Sequence, residues 1–389
     1  MRIVVVGGGS GGHITPVIAV IEEIWKLKPR AEVEFWTDKK FYVNVAKLTA
    51  GRGPRVQARK VVAGKLRRYA SYGFVDYLKN FDVVLLNIVD GFKLMVGIVQ
   101  SMWRLMRRRP DVVFIKGGFV GLPVGLAAGW LRIPYVIHDS DTKPGLTNRV
   151  LARRAKKIAT GMPLENYKYP EAKSEWVGIP VGEEFCKVGK EKQRRLKTEL
   201  GFAGDRVLVV VTGGSLGSMH INEALVEILP EMLPEANVYL VAGREGFAKM
   251  EKLKEHEKWE GGKPVNGFVM VEFSREMEKL FGAADVVVSR AGATTVAELA
   301  SMEKAVVLVP NGMLPAKHQV RNAEALGKEG AVLIVEDEKM ERDPWLLLEA
   351  VMKLVRNGKG REELARNLRK FAKATAAKRL GEMVVEAAG

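Results

Sequence analysis

A histidine closes a run that is otherwise almost bare of side chains, Gly7-Gly8-Gly9-Ser10-Gly11-Gly12-His13-Ile14-Thr15-Pro16. Ser10 alone carries a Cβ between positions 7 and 12, so backbone N–H groups there can come close to a diphosphate or a sugar. An imidazole at the end of such a loop is suited to take a proton from an acceptor hydroxyl. The alternative is a histidine at a helix start doing structural work only. Gly7-x-Gly9-x-x-Gly12 also fits the dinucleotide fingerprint, but the acid that fingerprint requires about twenty residues on is not convincingly supplied by Glu32, Glu34 or Asp38.

Further stretches have the same character. Thr212-Gly213-Gly214-Ser215-Leu216-Gly217-Ser218 is a second glycine turn, and Lys116-Gly117-Gly118 a third. Ser289-Arg290-Ala291-Gly292-Ala293-Thr294-Thr295-Val296-Ala297-Glu298 passes from a strand end through small residues into a helix. Its threonine hydroxyls and amides can take phosphate oxygens, and Glu298 can accept both hydroxyls of a ribose. Gln319 and Asn322, three apart on one helical face, suit pyranose hydroxyls. In His138-Asp139-Ser140-Asp141, the two acids can hold sugar hydroxyls or, less readily, a divalent ion.

The elements that must position these residues alternate strand and helix. Ile3 to Val6, Glu32 to Trp36, Val56 to Val62, Asp111 to Ile115 and Tyr135 to His138 read as strands, with helices at Val17 to Leu27 and Tyr42 to Leu48. The apolar run Val207 to Val211 restarts the pattern, with strands at Val238 to Ala242, Phe268 to Val271 and Ala305 to Pro310 and helices at Gly246 to His256 and Ser274 to Phe281. The expected fold is α/β: two Rossmann-like domains, each a doubly wound parallel sheet, facing across a cleft. The expected boundaries are 1–184 for an acceptor- and membrane-facing domain and 185–365 for a nucleotide-sugar domain. A helical tail over 366–389, within the helical stretch Gly358 to Ala388, could pack back on the first domain.

With 389 residues, 47% of them apolar, the chain can fill two cores. Its single cysteine, Cys186, fits a reducing compartment, and neither a signal peptide nor an uninterrupted apolar span is expected. A net charge of +16 points to an anionic partner. Nucleic acid is not expected, because no zinc-finger spacing, RNP-type aromatic motif or compact basic helix is present. From Phe74 to Met106 apolar residues lie on more than one helical face, ending in Arg104, Arg107, Arg108 and Arg109. That is either an interfacial element meeting anionic lipid or a crossover helix packed on its own sheet. Arg149, Arg153, Arg154, Lys156 and Lys157 read as a solvated basic helix, and Gly64 to Tyr69 as a basic loop.

Together the glycine–histidine loop, HDSD-x-x-PGLTN at 138–148, TGGSLGS at 212–218, SRAGATTVAEL and HQxxNA resemble glycosyltransferase family 28, in order over most of the chain. The resemblance implies a GT-B fold and inverting transfer of N-acetylglucosamine from UDP-N-acetylglucosamine to the C4 hydroxyl of undecaprenyl-diphosphate-linked N-acetylmuramoyl-pentapeptide, lipid I. It places that step of peptidoglycan synthesis at the cytoplasmic membrane face. It puts Ser10, Gly11 and Gly12 near sugar and diphosphate, His13 as the base, Asp141 on the sugar and Ser215 at the diphosphate. Ser274 meets the uracil through its backbone, residues 293–298 hold phosphate and ribose, and Gln319 binds sugar hydroxyls. No cofactor is implied, since helix dipoles and amides can stabilise the departing diphosphate without a metal. The chain departs from the family pattern at Asp141, at Gly182 and at Ala316-Lys317. Other readings are a family 28 transferase acting on another lipid or a polysaccharide precursor, an inactive nucleotide-sugar module, or an NAD-dependent oxidoreductase. Oligomeric state is left open.

Overall fold

The computed structural model describes residues 1–9, 11–50, 56–65, 81–214, 217–250, 267–314 and 317–389. Ser10, Ser215, Leu66 to Tyr69, Phe74 to Asn80 and residues 251–256 of the expected helix therefore lie outside the described residues. The chain forms two compact units. One comprises Met1–Gly182, Met313–His318 and Lys373–Gly389, the other Glu183–Gly312 and Gln319–Ala372.

The first unit is built on seven parallel strands: β1 (Arg2–Val6), β2 (Glu32–Thr37), β3 (Val56–Lys60), β4 (Val112–Ile115), β5 (Tyr135–Asp139), β6 (Lys157–Thr160) and β7 (Ser174–Trp176). Their spatial order is β3-β2-β1-β4-β5-β6-β7. Strand order reverses between β1 and β4, the switch point where open α/β sheets place their ligands. The strands read as unbroken apolar runs because both faces are covered. Ile3, Val5, Phe35, Phe114 and Val136 pack under α1 (Thr15–Leu27), while Val4, Val6, Trp36, Val113, Ile115 and Ile137 fill the opposite side.

The segment before β4 is a crossover helix, α3 (Phe81–Arg107), which follows α2 (Tyr42–Ala50) and is about 40 Å long at ~1.5 Å per residue. One face packs on α4 (Gly121–Trp130); Leu105 is fully buried, and Gly97 approaches the Val62 backbone so closely that a Cβ would lie 2.0 Å from its carbonyl oxygen. The other face leaves Leu85, Ile88, Phe92, Met95, Val99, Trp103 and Met106 exposed at three- and four-residue spacing. The residues thus serve as crossover helix and bare apolar face at once.

Two expectations are corrected here. No basic helix spans 149–157: α5 (Leu146–Leu151) stops where Ala152 and Ala155 turn into the core, and Lys157 opens β6. Lys156 Nζ donates to the Ala387 carbonyl (3.1 Å), and Lys157 pairs with Glu386, so neither is simply solvated. Nor is 358–388 one helix. It breaks around Lys373, whose stem crowds Gly178 and whose ammonium lies 3.7 Å from the centre of the Trp176 ring.

The second unit repeats the plan with six parallel strands ordered β10-β9-β8-β11-β12-β13, namely β8 (Leu208–Thr212), β9 (Asn237–Val241), β10 (Phe268–Val271), β11 (Val286–Ser289), β12 (Ala305–Leu308) and β13 (Leu333–Ile334). Its switch point falls between β8 and β11. The helices are α6 (Lys190–Glu199), α7 (Met219–Met232), α8 (Arg244–Lys249), α9 (Met277–Ala283), α10 (Ala293–Ser301), α11 (His318–Lys328), α12 (Asp337–Arg342), α13 (Trp345–Arg356) and α14 (Gly358–Arg369). The final helix, α15 (Ala376–Ala387), lies in the first unit and packs Leu380, Met383, Val384 and Ala387 into the core that α1 covers. Contact there is close, since a Cβ on Gly381 would stand 3.0 Å from Glu23 Cβ.

Candidate active site

In the first unit, the turn after β1 folds onto its own histidine. Gly9 takes a positive φ (83°) and donates its amide to Asp38 Oδ2 (2.8 Å); Asp38 Oδ1 accepts from the amides of Lys40 and Phe41. Asp38 thus fastens the loop to the start of α2 and has none of its dinucleotide role. Gly11, Gly12 and His13 form a single 3-10 turn leading into α1.

Around His13 the carboxyl ends of β4 and β5 deliver a largely buried polar cluster. Lys116, directly after β4, donates to the Ser140 hydroxyl. His138 Nε2 lies 2.8 Å from the Gly178 carbonyl, and Asn148 Nδ2 donates to the His138 carbonyl at 2.9 Å. His13 Nδ1 is buried and has no hydrogen-bond partner among the described residues. Burial, with the Lys116 ammonium next, lowers the His13 imidazole to about 4, against the opposing pull of Asp141. His13 is therefore neutral near pH 7, as a proton acceptor must be. Burial also lowers Lys116 to about 8, with Asp141 and Asp139 resisting.

Asp139 does not offer itself to a sugar or an ion. Its Oδ2 accepts from the Tyr169 hydroxyl (2.7 Å) and the Gly145 amide (3.3 Å), and burial pushes its carboxyl up to about 7. Asp141 is only partly buried and interacts with both His13 and Lys116. Among the described residues no three His, Cys, Asp or Glu side chains are arranged to hold a metal ion.

In the second unit the turn after β8 carries positive φ at Gly214 (80°) and Gly217 (75°), and Ser218 caps α7 by accepting from the Ile221 amide at 3.5 Å. Arg290, the residue after β11, is buried; it donates to Ser218 Oγ (2.6 Å) and pairs with Asp337 (2.7 Å). Lys116 after β4 and Arg290 after β11 hold the same position in two sheets of the same order. Sequence reading missed both. The available signal was a charge directly behind four apolar strand residues, where an ordinary solvated lysine or arginine has no reason to stand.

Helix α10 starts at Gly292 with no side-chain cap, leaving its first amides pointing out of the helix. Thr294, Thr295 and Glu298 are partly exposed there, whereas the side chains of Ala293, Val296 and Ala297 are buried, and the Val296 amide is spent on the Gly292 carbonyl. The Val296 and Ala297 side chains thus belong to the core that fixes the helix. Burial, then Glu184, raises the Glu298 carboxyl to about 8. Ser274 Oγ accepts from the Glu276 amide (3.1 Å), with Phe273 strongly exposed beside it. Gln319 Oε1 accepts from the Asn311 amide at 2.9 Å, tying α11 to the loop after β12. Asn322 is fully buried, and its amide donates to the Ala291 carbonyl (3.3 Å), so it supports the α10 turn.

Comparison with known proteins agrees with this layout. The sequence profile of the glycosyltransferase family 28 N-terminal domain matches residues 3–160, and that of the C-terminal domain matches 208–380. A curated relative from Lachnospira eligens is 35% identical over 356 residues, 91% of this chain and 90% of its own length. One from Clostridium perfringens is 32% identical, covering 92% and 90% respectively. Both are named UDP-N-acetylglucosamine–N-acetylmuramyl-(pentapeptide) pyrophosphoryl-undecaprenol N-acetylglucosamine transferase. The crystal structure of Acinetobacter baumannii MurG superposes with a TM-score of 0.70 at 23% identity, covering 99% of both chains, which places the fold in the GT-B class. Matched by both domain profiles and by relatives along nine-tenths of its length, the chain belongs to glycosyltransferase family 28.

Proposed function

We propose that the chain is an inverting transferase that moves N-acetylglucosamine from UDP-N-acetylglucosamine to the C4 hydroxyl of undecaprenyl-diphosphate-linked N-acetylmuramoyl-pentapeptide, the lipid I to lipid II step of peptidoglycan synthesis. The observation that carries this reading is a partly buried imidazole at the end of a glycine loop, its Nδ1 shielded and its protonation disfavoured by desolvation, in a chain whose relatives are named for that transfer. His13 takes the acceptor hydroxyl proton while that oxygen bonds to the sugar C1. The bond from C1 to the UDP oxygen breaks with inversion, and UDP leaves with the electron pair. The glycine turn before α7 and the uncapped start of α10 supply N–H dipoles for the departing diphosphate. On this reading turnover needs no divalent ion and survives EDTA.

The exposed apolar face of α3, ending in Arg104, Arg107 and Arg108, is the surface we assign to the anionic membrane that carries the acceptor, making the enzyme a peripheral protein of the cytoplasmic face. The test is a matrix of donors (UDP-N-acetylglucosamine, UDP-glucose, UDP-galactose) against acceptors (a lipid I analogue, diacylglycerol) with purified protein. Transfer of N-acetylglucosamine to the lipid I analogue alone is expected. A preference for diacylglycerol would move the chain to another branch of the family, and no transfer from any donor would overturn the assignment.

A further inference from the structure

Strand β4 is followed directly by a lysine that the reaction just described leaves unused. Lys116 is 1% exposed and its amide is bonded to the Val6 carbonyl (3.0 Å), which seats it between the loop after β1 and the polar segment after β5. Its ammonium donates to the Ser140 hydroxyl, and that oxygen lies 3.5 Å from His138 Nδ1. The two glycines that follow take φ of 98° and 74°, and a Cβ on Gly118 would stand 2.8 Å from the Gly8 carbonyl and 3.4 Å from the His13 ring. The turn bearing the lysine is therefore packed against the imidazole itself. A buried cation is costly unless an anion answers it, and Asp141 is the leading carboxylate to do so, with Asp139 behind it.

We propose that Lys116 is a positioning residue for the transfer reaction: its buried ammonium, fixed by Ser140 on a turn packed against the His13 ring, opposes protonation of that imidazole when substrate charge arrives. The proposal rests on the reading of His13 as the base. Donor and acceptor each bring a diphosphate, and negative charge arriving near an imidazole favours its protonated form. A cation already in place opposes that shift before the substrates arrive. The charged and titratable groups that act on His13 are Lys116 from the turn after β4, Asp141 and His138 from β5 and the segment behind it, and His318, which belongs to the first unit; Asp139, Asp141 and His138 also act on Lys116. With the lysine charge removed, Asp141 acts on His13 unopposed and the imidazole binds its proton more tightly. With the carboxylate removed, both the imidazole and the lysine bind theirs more weakly.

The test is side-chain NMR titration of the substrate-free protein, following His13 in Lys116→Gln, Lys116→Met and Lys116→Arg and both His13 and Lys116 in Asp141→Asn. The glutamine keeps a hydrogen-bonding group for Ser140 without the charge. Both neutral variants should raise the His13 midpoint by about one pH unit or more, the arginine should leave it in place, and the acid limb of kcat/KM should move up with it. In Asp141→Asn the Lys116 midpoint should fall below its starting value of about 8. A His13 midpoint in Lys116→Gln within a few tenths of wild type overturns the proposal, even where turnover drops, because a purely structural lysine lowers rate without moving the limb. An unmoved Lys116 midpoint in Asp141→Asn overturns it independently of whether the lysine variants fold. No substrate is present in the titration, so its failure is distinct from failure of the base assignment, which would appear as full turnover in His13→Ala.

Discussion

A Cβ on Gly7 would lie 2.0 Å from the carbonyl oxygen of His13, with Val17 Cγ2 behind it at 3.2 Å. The glycine thus lets the loop close onto β1 and sets where the imidazole stands. Gly7→Ala must push the turn outward, at a cost of about 1–3 kcal/mol, and displaces the histidine with it. Unfolding midpoint and turnover should both fall. Gly189→Ala, where an added Cβ meets nothing within 4 Å, should stay within about 0.5 kcal/mol of wild type.

General base catalysis is typically worth about two to four decades in rate, so His13→Ala should lower kcat by that much. On the proposed reading, in which the second unit carries the nucleotide, UDP affinity should be unchanged in isothermal titration. The base works when neutral, so the loss of rate attributable to His13 should come only as pH falls towards about 4. An acid limb that sits near 6.5 and vanishes in His13→Ala would contradict the burial of this ring.

Desolvation raises the Glu298 carboxyl to about 8, yet in its proposed role on the ribose it would accept hydroxyls best as a carboxylate. UDP binding at pH 7 should therefore release a proton, seen as a binding enthalpy that differs between buffers of unlike ionisation heat. Glu298→Gln should abolish that dependence and weaken binding. The stability sign follows from a folded value of about 8 lying above the unfolded one: the contribution is complete below about pH 4.3 and is lost as pH rises through about 8. Glu298→Gln should accordingly flatten the stability profile over that window.

On α3, Phe92 is 73% exposed and Ile88 and Val99 are 65% exposed each. The triple change to serine should leave melting temperature and UDP affinity unchanged, because surface substitutions move stability by about 0.5 kcal/mol at most. Partition onto vesicles containing anionic phospholipid should fall tenfold or more, since each side chain contributes about 1.5–3 kcal/mol when fully removed from water. Equal partition of the two proteins would remove this face as the membrane contact.

Leu380 of α15 is fully buried in the core of the first unit. Leu380→Ala should destabilise that unit by about 2–5 kcal/mol in urea unfolding, while UDP binding, on the proposed reading a property of the second unit, should survive.

Much of this organisation was legible in the chain. Strands buried on both faces appear as unbroken runs such as Val207 to Val211, and glycine turns directly behind them mark the carboxyl edge, so both sheets and the His13 loop could be read directly. What escaped depends on partners distant in sequence. Asn322 looks like a sugar ligand by type and spacing, yet its partner is Ala291, and Asp139 looks available until Tyr169 is brought to it. Lys116 stands in the sequence only as the first residue of a glycine turn, and its burial follows from β1 and β5 closing on either side of it. The stretch 149–157 misled because its charges mask Ala152 and Ala155, whose burial ends the helix.

The seat of α15 has a bearing on biosynthesis. The sheet that carries His13 is encoded in the first 182 residues, but the helix sealing one of its flanks is translated only after the entire second unit has been synthesised. Until then the core under α1 lacks Leu380, Met383, Val384 and Ala387, and the nascent N-terminal portion presents a sticky flank for as long as the remaining chain takes to emerge. A holding chaperone would find its target there, and ribosome-stalled chains ending before Leu380 should be cleaved by protease far faster than released protein.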